Sequence, residues 1–203
     1  MMLIGVFLKY RSAKMLLFVV LLTPLLYLVY QGVSEGLGSD PAKFVVEYFA
    51  VVAFNLLLIT ISVRLFKKLT GLSSIMRFRR MLGLYVYFYV LLHVGSYLMF
   101  IAVWGELLSD LIKRPYISVG FVAFLLLSVL AITSNKVSMR KLGRRWGVLH
   151  RGVYLIVLLV LIHFVWQERA DYTMSFVYFC VVVVLFVARF GAGWINYLFG
   201  RLR

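Results

Sequence analysis

Acidic side chains are scarce in this 203-residue chain: seven Asp and Glu stand against 22 Lys and Arg, and none of the seven lies deep in an apolar run. Proton relays inside membranes usually recruit such buried carboxylates, so that chemistry lacks its customary parts here. There is one cysteine, Cys180, which can form no internal disulfide and, set in an apolar run, reads as a small core residue. No G-x-G-x-x-G follows a strand pattern, and no Walker motif is present. The longest loop on the basic side, Arg64 to Arg80, has 17 residues and cannot fold into a nucleotide-binding domain. No Ser/His/Asp set stands outside the apolar segments, and no inverted repeat points to a secondary transporter.

Apolar sequence is what the chain has in abundance. Hydrophobic residues make up 64% of it, and the mean hydropathy is +1.01, which belongs to a polytopic membrane protein rather than a soluble domain. Six charge-free runs occur: Met15 to Ser34, Tyr48 to Val63, Met81 to Gly105, Pro115 to Asn135, Gly152 to Gln167 and Tyr172 to Ala188. Each is close to the ~20 residues a spanning helix needs. Together they predict one all-α transmembrane domain over 1–203, with spans near 15–34, 47–65, 81–104, 116–135, 148–167 and 172–190. The first run is too long for a cleavable signal, contains Pro24 and is followed by no small-residue cleavage site.

Basic residues then set the orientation. Eighteen of the 22 precede the first span, fill the loops after the second and fourth, or follow the sixth. Lys43, Lys113, Arg114 and Arg169 are left for the three alternate loops, which also hold all seven acids. The positive-inside rule therefore predicts six spans with both termini cytoplasmic. A net charge of +15 alone would suit a nucleic-acid partner, but the basic residues are divided among four juxtamembrane places. That distribution predicts topology and attraction to anionic lipid, with no nucleic-acid partner.

All three histidines, His93, His150 and His163, lie inside or at the rim of apolar runs. An intramembrane imidazole needs a partner, and the usual ones are another polar group, a proton path or a metal. Three of them, without a conventional metal-ligand cluster, point most economically to haem iron. On the predicted topology His150 is near the cytoplasmic rim and His163 near the periplasmic rim, roughly 20 Å apart along the fifth span. His93 is near the middle of the third. Arg79 precedes His93 by fourteen residues, which returns it to within ~40° of the same face about 21 Å lower. His93 and His163 then form the upper pair, and His150, a third candidate haem-iron ligand, is left opposite Arg79. Thirteen steps from His150 to His163 give ~220° in an ideal helix, so either the fifth helix is locally overwound or underwound, or the two approach their sites from different sides. Tyr97 and Trp166, four and three residues beyond His93 and His163, are candidates to face the same site or to serve as interfacial packing.

Several segments resemble the MsrQ (YedZ) family, which is related to the transmembrane domains of ferric reductases and NADPH oxidases. They are G-L-G-S-D-P (Gly36 to Pro41), R-R-M-L-G-L (Arg79 to Leu84) leading to His93, and K-R-P-Y-I-S-V-G (Lys113 to Gly120). The longest is R-K-L-G-R-R-W-G-V-L-H-R-G-V-Y (Arg140 to Tyr154), followed by His163 and Trp166. The resemblance implies a ferric-reductase-like haem-binding helix bundle in the bacterial inner membrane, with haem b in one or two copies and an associated FMN. It implies His93 and His163 as the haem-ligand pair and His150 as the third family histidine. Related oxidases carry a second histidine on the third helix where this chain has Arg79. A guanidinium stays protonated and is a poor iron ligand, which suits Arg79 to a haem propionate or flavin phosphate. Arg144, Arg145 and Arg151 are candidates to neutralise propionates or to act as plain topology anchors.

The resulting expectation is an electron-transfer subunit that is not itself the catalytic subunit. Electrons come from a cytoplasmic flavin reductase or the quinone pool and leave to a periplasmic molybdopterin subunit that reduces methionine sulfoxide in envelope proteins. Two other classes remain open at this level: a channel or transporter using the histidines for protons or metal ions, and a structural anchor using them as interhelical glue.

Overall fold

The structure, a computed structural model, describes residues 2–168 and 171–200, with side chains described for 11–168 and 171–191. Arg169, Arg201, Arg203 and the side chain of Lys9, all counted in the charge asymmetry, lie outside the described residues. The all-α, six-helix architecture expected from the sequence is what forms. The helices are α1 (Met2–Val33), α2 (Pro41–Thr70), α3 (Arg79–Phe100), the short α4 (Leu107–Lys113), α5 (Pro115–Ile132), the short α6 (Lys136–Leu142) and α7 (Arg144–Leu149), α8 (Val153–Gln167) and α9 (Thr173–Gly200). A 3-10 turn, His150–Gly152, joins α7 to α8, so Arg144–Gln167 acts as one span. With α1, α2, α3, α5 and α9 this gives six helices long and apolar enough to cross a membrane. No strand occurs among the described residues.

Local chemistry sets the helix ends. Asp40 caps α2 by accepting the Lys43 N–H at 3.0 Å, and Pro41 fills the first helical position, where its missing N–H is no loss. The G-L-G-S-D-P segment is thus a helix-starting device. At the other end of α2, Gly71 adopts φ 73° and returns its N–H to the Lys67 carbonyl. Asn135 starts α6 by accepting from the Ser138 N–H at 2.8 Å. Between α6 and α7, Gly143 takes φ 50° and ψ −124°, a region only glycine visits without strain. α3 ends at Phe100 although the charge-free run continues to Gly105. The N–H groups of Ile101 and Ala102 both turn back onto the Tyr97 carbonyl, so His93 stands seven residues from the end of its helix.

α2 is the centre of the bundle: half of its apolar window is buried, against 11–22% for the other spans. It packs along α3, while α5 packs along α8, and α9 closes against α2 and α8. Phe54, Leu57 and Val63 of α2, Val86 and Tyr89 of α3, and Ile156 and Val157 of α8 form the innermost layer. Cys180, expected in the core, is exposed on α9. In a bilayer the outward face is as apolar as the inward one, so an apolar setting does not distinguish them.

α1 is held by three tyrosines. The hydroxyls of Tyr85, Tyr89 and Tyr48 donate to the α1 carbonyls of Phe18, Leu21 and Pro24 at 3.2, 2.7 and 2.9 Å. Pro24 has no N–H for the Val20 carbonyl one turn back, and the Thr23 hydroxyl takes that place at 2.7 Å. Tyr89 is fully enclosed, so its bond has no competing water. Tyr89→Phe is expected to cost about 0.6–1 kcal/mol, the range for a hydrogen bond inside a membrane bundle. Thermal unfolding in detergent would register this as a lowered midpoint, and an unchanged midpoint would show that the Tyr89 bond adds nothing to the hold on α1.

Candidate functional site

Between α2, α3, α5 and α8 lies a cavity of about 800 Å³, within the range of cofactor pockets. Its wall is mainly aliphatic and aromatic, including Phe54, Leu57, Val86, Phe124 and Ile156. Two of the three histidines, His93 from α3 and His163 from α8, project into it. Their ring centres are 6.4 Å apart and the ring planes are inclined by 74°.

Each ring is fixed from behind. His93 Nδ1 lies 2.9 Å from the Val46 carbonyl oxygen on α2, and His163 Nδ1 lies 2.7 Å from that of Tyr116 on α5. A carbonyl can only accept, so in both residues Nδ1 carries the proton and donates it. The lone pair is thereby placed on Nε2, the nitrogen left for a ligand-binding role. Metal-bound histidines are oriented by this arrangement, with the second ring nitrogen donating to a carbonyl.

The donor set suits one kind of metal group. Among the described residues, no cluster of three or more His, Cys, Asp or Glu is placed to hold a bare ion. Two imidazoles, each with Nε2 left over, in an apolar cavity would suit an iron whose other four ligands come from a planar macrocycle. With metal–nitrogen distances near 2 Å, the ring centres of such an axial pair lie roughly 6–6.5 Å apart, and the observed separation falls in that window.

His150 is not part of this arrangement. It sits in the 3-10 turn, with Nδ1 3.2 Å from the Trp146 carbonyl and Nε2 3.2 Å from Ser134 Oγ, so both ring nitrogens are engaged. The Trp146 indole stacks on it at 3.9 Å and donates to the Thr133 carbonyl at 3.0 Å. The turn also reduces the angular mismatch along this span, from about 140° off a common face to about 80°. Each of its three residues advances about 120° instead of about 100°, which raises the His150–His163 angle to roughly 280°. Arg79 is half-buried at the start of α3, within charge-interaction range of Tyr154, Arg64 and Arg189, and of His150. Arg189 is steadied by Tyr154, whose hydroxyl accepts from its Nε at 3.0 Å. Nearby, Arg64, Lys67, Lys68 and Arg189 bound a recess of about 290 Å³. Arg151, with Arg144 and Arg145, is exposed and outside the large cavity.

The cavity opens at the end of the bundle that carries the acids. Glu47, Asp110, Glu168 and Asp171 line that mouth with Lys43 and Tyr97. Ion pairs Lys43–Glu47 at 3.7 Å and Arg114–Asp110 at 3.0 Å occur there. Hydrogen bonds from the Thr173 side chain and backbone hold the Asp171 carboxyl below its ordinary value. The Tyr116 side chain, then Asp110, raise the Arg114 guanidinium above its own. Trp166 is exposed and faces away from the cavity. The carbonyls of Val46 and Tyr116, Gly120, and Ser134 and Trp146 as partners of His150 emerge only from the fold. Backbone acceptors leave no mark in a sequence. Gly120 and Trp146 did stand inside recognisable motifs, but without an assigned task.

The tautomers are open to direct measurement. In haem-free protein labelled with ¹⁵N-histidine, His93 and His163 are expected to show a protonated Nδ1 and an unprotonated Nε2. The reverse pattern at either residue would contradict the carbonyl anchoring.

Residues 45–161 match the family described as ferric reductase like transmembrane component. Similar proteins include the protein-methionine-sulfoxide reductase heme-binding subunits MsrQ of Xanthomonas euvesicatoria pv. vesicatoria (strain 85-10) and Xanthomonas axonopodis pv. citri (strain 306). Each is 40% identical over 182 residues, covering 86% of this chain and 84% of the relative. The MsrQ of Xanthomonas oryzae pv. oryzae (strain MAFF 311018) is 41% identical over 159 residues, covering 77% of this chain and 73% of its own. No solved structure matches the chain. The protein is thus a multi-pass membrane protein, and it belongs to the ferric-reductase-like transmembrane family and, within it, to the MsrQ group.

Proposed function

We propose that this protein is a membrane b-type cytochrome of the bacterial inner membrane, the electron-transfer subunit of a methionine sulfoxide reductase system. The observation that carries the proposal is the pair His93 and His163, each with Nδ1 spent on a helix carbonyl, their ring centres 6.4 Å apart in an apolar cavity. The relatives named as heme-binding subunits support the same assignment. In this reading His93 and His163 hold haem b through Nε2, and His150 belongs to a separate layer at the basic end. Haem supplies a one-electron carrier, and the protein tunes it through ligand basicity, burial and hydrogen bonding.

Direction follows from charge. The proposal places both termini and the basic loops in the cytoplasm and the acidic mouth in the periplasm, as the positive-inside asymmetry supports. Electrons are taken at the basic face from a flavin reductase or quinol. Arg79, with Arg64, Arg189 and Tyr154 close by, offers positive charge for an FMN phosphate or a haem propionate. Arg151 is a peripheral member of the same face. At the opposite end a molybdopterin-containing catalytic subunit takes the electrons and reduces methionine sulfoxide in envelope proteins. The acids at the mouth, Glu47, Asp110, Glu168 and Asp171, give that subunit an electrostatic docking surface.

Purified protein from haem-replete expression is expected to show a Soret band that shifts on reduction with dithionite. His93→Ala and His163→Ala should each remove the same signal, reducing it to about a tenth or less, while His150→Ala should leave that signal in place. A colourless wild-type protein would sink the proposal. Loss of one shared signal in His93→Ala and His150→Ala, with His163→Ala unaffected, would refute the pairing.

A further inference from the structure

The two cavity histidines are held in the same way by two different pairs of helices. His93 bonds the carbonyl of the residue 47 positions earlier, Val46, and His163 bonds the carbonyl 47 positions earlier, Tyr116. Both histidine and carbonyl are therefore displaced by 70 residues, and at that offset the sequence itself repeats. Val52-Ala53-Phe54-Asn55-Leu56-Leu57 aligns with Val122-Ala123-Phe124-Leu125-Leu126-Leu127, and Val90-Leu91-Leu92-His93 aligns with Val160-Leu161-Ile162-His163. Successive spans alternate in direction, so α2 and α5 run one way and α3 and α8 the other. The two copies share one sense and are not inverted.

The residue four positions after each carbonyl is small: Ala50 in the first copy and Gly120 in the second. That position has a physical meaning. In an α-helix the N–H of residue i+4 already donates to the carbonyl of residue i. A histidine from a neighbouring helix must reach the occupied carbonyl from the side, close to where the i+4 side chain begins. At Gly120 the space is fully used. A Cβ there would lie 2.7 Å from His163 Nδ1, 2.8 Å from Cε1 and 3.2 Å from Cγ. The Gly120 backbone is ordinary helix, so the glycine supplies room and not conformation.

We infer that α2–α3 and α5–α8 are two copies of one histidine-delivering unit, and that the small residues Ala50 and Gly120 are positioning residues that leave room for each imidazole at its carbonyl, with the closer seat, at Gly120, admitting no side chain at all. The inference rests on the reading of His93 and His163 as axial ligands. Seating matters because the Nδ1–H···O=C bond makes the imidazole a stronger donor, which favours ferric over ferrous iron. A methyl at position 120 displaces the His163 ring, weakens that bond and loosens the ligand.

The test measures haem per protein by pyridine haemochrome, together with a redox titration followed in the visible spectrum. Gly120→Ala is expected to weaken haem retention about 10-fold or more, or to raise the midpoint potential of the haem that remains. Gly95→Ala, a helical glycine with open space where its Cβ would be, is the control and should keep both wild-type values. Unchanged retention and potential in Gly120→Ala would overturn the inference while leaving the axial-ligand reading intact. A wild type without haem would remove the axial-ligand reading, and the role of Gly120 with it. Should Gly120→Ala fail to accumulate, Ala50→Val applies the same test to His93 in the other copy. The same loss or upward shift supports the inference, and wild-type values refute it.

Discussion

Two helix carbonyls that each accept a second hydrogen bond, from a histidine on a neighbouring helix, set the terms for the centre of this bundle. Val46 and Tyr116 receive the Nδ1–H of His93 and His163 at 2.9 and 2.7 Å. Those bonds demand that α3 lie against α2, and α8 against α5, close enough for an imidazole to touch backbone. They fix the tautomer, leave the other nitrogen of each ring for a ligand-binding role, and hold two cavity-lining rings with centres 6.4 Å apart and planes inclined by 74°. In a bilayer the hydrophobic effect does not drive helices together, so polar anchors of this kind carry positional information that packing alone would leave loose. The tyrosine ladder on α1 does the same work at the periphery, tying down a helix whose apolar window is only 11% buried.

Much of this was legible in the sequence because the signals are one-dimensional. Length and apolarity predict six helices, and six form. The fourteen-residue spacing from Arg79 was enough to assign His93 to the layer of His163, and the structure brings those two rings together. What escaped has a common cause. In a soluble helix the 3.6-residue period separates core from surface, but here both faces are apolar. Cys180 therefore gave no hint that it faces outward, and the run from Met81 to Gly105 gave none that α3 stops at Phe100. Gly120 was visible inside a motif, yet its purpose depends on a ring that arrives from another helix.

The two ends of the molecule differ in kind. Toward the acidic end the histidine pair has one nitrogen on each ring left for a ligand, and both rings line a large apolar cavity. At the basic end His150 has both nitrogens bonded and an indole stacked on one face, beside an arginine-rich surface. One end sets two imidazoles in an apolar cavity, and the other presents positive charge around a fixed imidazole. The overwound turn at His150–Gly152 rotates His150 relative to His163 by about 60° without adding a residue.

The central claim is that His93 and His163 face one another as an axial pair with steeply inclined rings. Low-temperature electron paramagnetic resonance of the purified ferric protein reads that arrangement directly. Two imidazoles on a low-spin ferric haem with planes inclined near the observed 74° give a single, highly anisotropic low-spin signal. That signal is the expected result. A dominant high-spin ferric signal in intact protein, showing an iron with at most one imidazole, would contradict the account.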